Sequence, residues 1–197
     1  MGDMIGLVDM DGTVADLDSA MQKGLAKLAS PGEPTFTHGD DLPDWMEARR
    51  RLVMMQPGFW RNLHRLELGF EIVQCLEHHD FNIHVLTKGP SNKPLAWSEK
   101  VEWCREHLPQ ANVTITEDKS HYYGKTLVDD WLPYGLPWLK HRKRGLLIVP
   151  AQPWNVDAET LHPNIFRYDG SNKARLRAVV KAAKDRQDKE PYILPPL

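Results

Sequence analysis

"IGLVDMDGTVADLD", residues 5–18, sets a short apolar run against a crowd of carboxylates. Ile5, Gly6, Leu7 and Val8 read as a brief buried strand that polar residues bring to an end. Asp9 and Asp11 follow one residue apart, then Gly12 and Thr13, then Asp16 and Asp18. Like charges this close repel, and the arrangement costs stability unless a cation or a reaction compensates. A lone Asp-x-Asp pair can simply end a strand and cap a turn. Here a second acidic pair, Asp129 and Asp130, closes another apolar run, "KTLVDD" at 125–130, which argues against that reading. An EF-hand is also excluded, because the glycine falls at the fourth loop position rather than the sixth and no glutamate stands at the twelfth.

Outward from this stretch, residues 16–29 carry Leu17, Met21, Leu25 and Leu28 at helical spacing, with Asp16 as N-cap. Residues 30–44 are rich in Pro, Gly and Asp and predict a loop, and 44–55 turn helical again until "QPGFW" breaks the pattern. From residue 66 the rhythm changes: helix at 69–79, strand at 81–87, helix at 97–108, strands at 112–116, 125–130, 145–150 and 165–168. A last helix at 171–186 has a basic face, read as solvated, and the Pro-rich tail 190–197 is given no regular structure. There is no internal repeat and no low-complexity tract.

Short apolar strands alternating with helices predict an α/β fold: a three-layer, Rossmann-like parallel sheet with helices on both faces. Residues 16–65, inserted after the first strand, are expected to form a small helical cap on a core made of 1–15 and 66–197. In such sheets the ligand site lies beyond the carboxyl ends of the strands. Those ends carry Asp9 and Asp11, Thr87 and Lys88, and Asp129 and Asp130.

Composition narrows the class. The chain has 197 residues, 41% hydrophobic and 26% charged, with a formal net charge of −2. That balance suits one well-buried domain with a small accessory lobe, and argues against a strongly electrostatic nucleic-acid binder or a membrane-surface protein. Cys75 and Cys104 form no disulfide framework and no metal-binding pattern, and are expected to be free thiols. No leader pattern and no long apolar run is present, so a cytoplasmic protein with no membrane and no stable nucleic-acid partner is expected.

Asp9, Asp11, Asp129 and Asp130 make an oxygen-rich cluster without cysteine or organised histidine. Such a site suits a hard cation, and Mg²⁺ best, because that ion takes a few carboxylates while keeping waters and phosphate oxygens. His78, His79 and His121 have no metal-ligand spacing and are read as surface or helix-end residues.

"DMDGTV" resembles the first motif of the haloacid dehalogenase superfamily of phosphotransferases; Thr87 ending "IHVLT" resembles its second, and "LVDD" its fourth. Within it, "PGFWRNL", "TKGP", "EKVEWCREHL", "TEDKS" and "LVDD" are similar, in order and spacing, to the 5′(3′)-deoxyribonucleotidases over roughly residues 4–150. The resemblance implies Asp9 as nucleophile and Asp11 as acid and then base. It also implies Thr87 as a donor to the phosphoryl group and Lys119 as its counter-charge. Lys125, nearer Asp129 in sequence, is a rival for the lysine role. Mg²⁺ is expected on Asp9, on Asp11 through its main-chain carbonyl, and on Asp130 with Asp129 behind it, the choice between the last two staying open. Lys88 stands where that family usually has a small hydroxyl residue, and either contacts phosphate or points away.

Specificity must come from the insertion. Aromatic faces stack on nucleobases, and the resemblance implies that Phe59 and Trp60 border base and sugar; packing inside the cap is the alternative. Arg49, Arg50 and Arg51, near Trp45, are read as a solvated helix face, with guidance of an anionic substrate as the alternative. The expected activity is hydrolysis of (deoxy)ribonucleoside monophosphates. The alternatives are another small phosphate ester, a polynucleotide end, or a nucleotide-binding module without turnover. Oligomeric state is open, a homodimer included.

Overall fold

Strand-forming apolar runs give six strands in the computed structural model, which describes residues 4–34 and 42–185. They are β1 (Ile5–Val8), β2 (Asn82–Lys88), β3 (Asn112–Thr116), β4 (Thr126–Val128), β5 (Leu146–Pro150) and β6 (Ile165–Tyr168). All pair in parallel, in the order β3-β2-β1-β4-β5-β6. The predicted α/β architecture with its parallel sheet is therefore present. The chain leaves β1 toward β2 on one side and returns to its other side as β4, so the crevice between them is where ligands bind in such sheets. Register brings the acidic pairs together: Val8 lies beside Val128, and the Asp9 N–H donates to the Val128 carbonyl at 2.8 Å.

The helices are α1 (Leu17–Ala26), α2 (Asp44–Met54), α3 (Glu67–His78), α4 (Pro94–His107), α5 (Leu132–His141), α6 (Ala158–Leu161) and α7 (Lys173–Asp185). Alternate strand residues face opposite sides. Val8, Val128 and Ile148 join Phe70, Leu76, Trp103 and Val180 in one apolar cluster. Leu7, Leu127 and Leu147 join Trp138 and Leu139 in another. Three layers result.

Asp16 caps α1 as expected, accepting from the Ser19 N–H at 3.0 Å, but the helix stops at Ala26 and leaves Leu28 exposed. Helix α4 starts three residues before the expected boundary, with Pro94 in its first turn, where a missing N–H costs nothing. Helix α5 was not expected, because Pro133, Gly135 and Pro137 all disfavour it. Burial of Trp138 and Leu139 against the sheet outweighs that propensity.

Helices α1 and α2 pack on each other through their own cluster, Met21, Leu25, Met46 and Val53. Gly24 permits the close approach: a Cβ there would lie 2.4 Å from Val53 Cγ1. Of the expected loop at 30–44, residues 35–41 lie outside the described residues, as do Arg186 and the tail 190–197. Among the described residues, no helix is long and apolar enough to cross a membrane.

Candidate active site

Strand β1 ends in a loop tied down on both sides. Gly12 has φ +73°, a left-handed conformation that glycine adopts without penalty, and a Cβ there would sit 2.6 Å from an Asp130 carboxylate oxygen. The Asp16 N–H donates to the His64 carbonyl and the Leu66 N–H to the Val14 carbonyl, both at 2.8 Å. The Thr13 hydroxyl donates to Asp130 Oδ1 at 2.9 Å and accepts from the Asp130 N–H at 3.1 Å. Thr13 thus fastens the first acidic pair to the second.

The structure brings the carboxylates of Asp9, Asp129 and Asp130 together: one oxygen from each lies within 4.8 Å of the others, and all three residues are buried. Lys119, buried beside them, holds its ammonium 2.7 Å from Asp9 Oδ1 and 2.7 Å from Asp129 Oδ2. The contact to Asp129 is a hydrogen bond. The contact to Asp9 Oδ1, equally short, is an ion pair. Asp129 Oδ1 accepts from the Trp131 N–H at 2.9 Å, and Asp130 Oδ2 from the Trp154 indole at 3.2 Å. Lys125 lies at the opposite edge, just before the amino end of β4, so geometry separates the two rival lysines.

Asp11 turns to a different cation, one that sequence reasoning missed. Lys100 on α4 is 1% exposed; its ammonium lies 2.5 Å from Asp11 Oδ2 and 2.6 Å from the Lys88 carbonyl. It also donates to Thr87 Oγ1 at 3.1 Å. An ammonium can only donate, so Thr87 accepts from it and keeps its own O–H to offer a ligand. Asp11 Oδ1 is buried with no hydrogen bond among the described residues. A signal for Lys100 existed: Ala96, Lys100, Trp103 and Cys104 share the buried face of α4, and a charge on such a face needs a partner.

Counted as fully ionised, four carboxylates and two ammonium groups would leave two negative charges uncompensated. Burial pushes the Asp130 carboxyl well above the ordinary range, and the charges of Asp129 and Asp9 push it further. Burial likewise raises Asp129, to about 6, against the lowering effect of Lys119. Burial opposes the charge on Lys119, but Asp129 and Asp9 outweigh it and hold the ammonium above the usual lysine range. Burial also raises Asp11, with Lys100 opposing and Asp9 reinforcing. An all-oxygen ring of three buried carboxylates served by a single ammonium fits a hard divalent cation.

Above the ring opens a cavity of about 450 Å³ whose walls include Asp9, Asp11, Asp130, Lys88, Lys100 and Trp60. Trp60 lies beneath the Lys100 ammonium, 4.6 Å from ring centroid to nitrogen. Its backbone N–H and that of Gly58 donate to the buried Glu99 carboxylate at 3.0 and 2.5 Å. Phe59 meets Trp60 edge-on at 5.1 Å and packs on the apolar clusters; it is not among the lining residues. Lys88 reaches over the Tyr134 ring at 4.8 Å. The arginine run does not act as one solvated face: Arg49 pairs with Glu33, while Arg50 turns into the cavity wall. His78 and His79 lie at the end of α3, and His121 is exposed near Asp118.

A family model described as 5′ nucleotidase, deoxy (pyrimidine), cytosolic type C protein matches residues 3–162. The chain belongs to this family. Two Staphylococcus epidermidis proteins, each named "Putative 5′(3′)-deoxyribonucleotidase", are 29% identical over 106 residues, covering 52% of this chain and 58% of theirs. The match thus spans little more than half the length of these relatives. A solved structure named as a putative β-phosphoglucomutase, from Thermotoga maritima, superposes with a TM-score of 0.50 at 12% identity, covering 92% of this chain and 99% of that one. That likeness is one of fold. A haloacid dehalogenase-like hydrolase from Xanthomonas campestris gives 0.49 at 14% identity, covering 93% and 100%.

Proposed function

We propose that the chain is a Mg²⁺-dependent phosphomonoesterase that releases nucleoside and phosphate from (deoxy)ribonucleoside monophosphates through an aspartyl-phosphate. The observation that carries this reading is the division of labour between the two aspartates of one loop: Asp9 faces Lys119, Asp11 faces Lys100, and both open on the same cavity.

Asp9 needs no base to act as a nucleophile at neutral pH. Its carboxylate attacks phosphorus in line, the ester bond breaks, and the leaving alkoxide takes a proton from Asp11. Asp11 Oδ2 is held by Lys100, so Oδ1 is the oxygen that carries the proton. The upward push of burial on Asp11 favours that protonated state. In the second half Asp11 takes a proton from water, which attacks phosphorus and restores Asp9. Thr87 donates its O–H to a phosphoryl oxygen, and Lys119 holds the Asp9 carboxylate in place. Asp9, Asp130 and the neighbouring Asp129 would hold the metal, which when bound offsets the excess carboxylate charge and draws electron density from the phosphoryl oxygens. Trp60, 4% exposed and part of the cavity wall, would border the sugar or base, with Phe59 edge-on against it. The name of the matched family and of the Staphylococcus relatives supports a nucleotide as substrate.

Phosphate release from a panel of deoxy- and ribonucleoside monophosphates with Mg²⁺, comparing wild type with Asp9→Asn, tests the reading. Turnover that disappears in the variant is expected. Equal release by both proteins would remove Asp9 as nucleophile, and release from sugar phosphates but not nucleotides would change the substrate.

A further inference from the structure

The cavity has more positive charge in its walls than the reacting phosphoryl group can use. Lys119 and Lys100 are spoken for by Asp9, Asp129 and Asp11. Farther out, Arg50, Lys88 and Lys93 also line the same space. Lys88 meets only the Tyr134 ring, and Lys93 meets only Met54 Sδ, at 4.0 Å; neither pairs with a carboxylate among the described residues. Arg50 shares Glu47 with Arg51, at 3.1 and 3.5 Å. Burial lowers the Lys93 ammonium below its ordinary range; Glu47 opposes this, and Arg51 and Arg50 add to it. Glu47 is thus shared by two arginines, of which Arg50 lines the cavity, while Lys93 in the same wall has no carboxylate partner among the described residues.

An anion in the cavity would supply the counter-charge that Lys93 lacks and a second partner for Arg50. A base edge could accept hydrogen bonds from these groups, but a neutral ring does not cancel their mutual repulsion. A phosphate dianion does both, and pairs with lysine and arginine through short charge-assisted bonds. Lys88, next to Thr87, is close enough in sequence to serve the reacting phosphoryl group, which leaves Lys93 and Arg50 for a second one.

We propose that the preferred substrate of this cavity is a nucleoside bisphosphate, with the scissile phosphate over Asp9 and a second phosphate, on another sugar hydroxyl, held by Lys93 and Arg50. This rests on the nucleotidase reading above and sharpens its substrate class. The second phosphate stays on the product; it is a handle for binding and takes no part in bond breaking. Its attachment to a separate hydroxyl keeps an alkoxide as the leaving group for Asp11 to protonate.

The test compares a deoxynucleoside 3′,5′-bisphosphate with the matching 5′- and 3′-monophosphates, in wild type, Lys93→Gln and Arg50→Gln, all with Mg²⁺. In wild type the bisphosphate is expected to lead in kcat/KM by about tenfold, through KM, and that preference to shrink with added salt. Each variant is expected to reduce the ratio of bisphosphate to monophosphate kcat/KM by several-fold. Monophosphates matching or beating the bisphosphate in wild type would overturn the proposal, as would variants that leave the ratio unchanged. Calorimetric titration of the same ligands into wild type and both variants separates this from failure of the nucleotidase reading. With no turnover of any nucleotide, tighter bisphosphate binding that Lys93→Gln weakens still upholds the second subsite, and equal binding of mono- and bisphosphate refutes it.

Discussion

Lys100 and Asp11 are 89 residues apart in the chain, yet the lysine nitrogen lies 2.5 Å from Asp11 Oδ2. The same nitrogen reaches Thr87, so one buried cation aligns two groups from two strand ends. Replacing it by an apolar residue of similar length, Lys100→Met, strands Asp11 without its counter-charge. Breaking a buried pair in this way costs about 3–5 kcal/mol. We expect a lower unfolding midpoint and a fall in kcat of about a hundredfold or more, with KM moving less, because in the proposed mechanism the lysine acts on the group that moves the proton rather than on binding. A variant with normal kcat and only reduced stability would make the pair purely structural.

Gly12 cannot accept a side chain. Gly12→Ala combines a φ of +73° with a Cβ 2.6 Å from the Asp130 carboxylate. The backbone strain alone is about 1–3 kcal/mol, and relief by displacing Asp130 would open the carboxylate ring. Thermal unfolding is expected to shift down, and phosphate release at limiting Mg²⁺ to fall more than at saturating Mg²⁺. Equal loss at both concentrations would locate the damage elsewhere.

Glu99 anchors the Trp60 wall from beneath, each carboxylate oxygen accepting one backbone N–H. Glu99→Gln presents an NH₂ group to one of those donors and leaves it unpaired, at a cost of about 1–3 kcal/mol. Because Trp60 then loses its fixed position, KM for nucleotides is expected to rise more than kcat falls. Steady-state kinetics distinguishes this from a general loss of folded enzyme, which would lower kcat alone.

Cys104 gives a pH dependence of stability from a group outside the proposed reaction. Burial, reinforced by the charge of Asp11, pushes its thiol from 9.0 up to about 12. Between those values the unfolded chain releases the proton and the folded one keeps it, so the contribution is fully present below pH 9 and is lost as pH rises toward 12. The slope is about 1.4 kcal/mol per pH unit for one group. Urea unfolding followed from pH 8 to 11 should show stability falling more steeply in wild type than in Cys104→Ala; parallel curves would contradict it.

The carboxylates were legible in the sequence because their signal is local: Asp9, Asp11, Asp129 and Asp130 each end an apolar run, and a parallel sheet brings such ends together. The strands were legible for the same reason. Lys100 was not, since "SEKVEWCREHL" looks like an ordinary charged helix until its buried face is known. Lys93 was hidden similarly, and the arginine run was visible only as a run: that Arg50 is the member facing the cavity depends on how α2 packs, a long-range matter. Helix α5 stayed hidden because its prolines and glycine speak against it locally, and only the partners of Trp138 and Leu139 decide. The lysine opposite Asp9 was a choice between two that strand periodicity left undecided; the position of Lys125 before β4 rather than after it makes the difference.

Thr13 meets Asp130 across 117 residues of chain, and the Gln152 amide meets the Gly12 carbonyl across 140. Contacts between segments so distant form late, because loop closure must precede them. The helices and the local strand pairs can therefore be in place while the acidic ring is still apart. On refolding from denaturant, far-ultraviolet signal should return ahead of metal affinity and turnover, and a lag between them would measure the time the chain needs to bring these distant segments to one place.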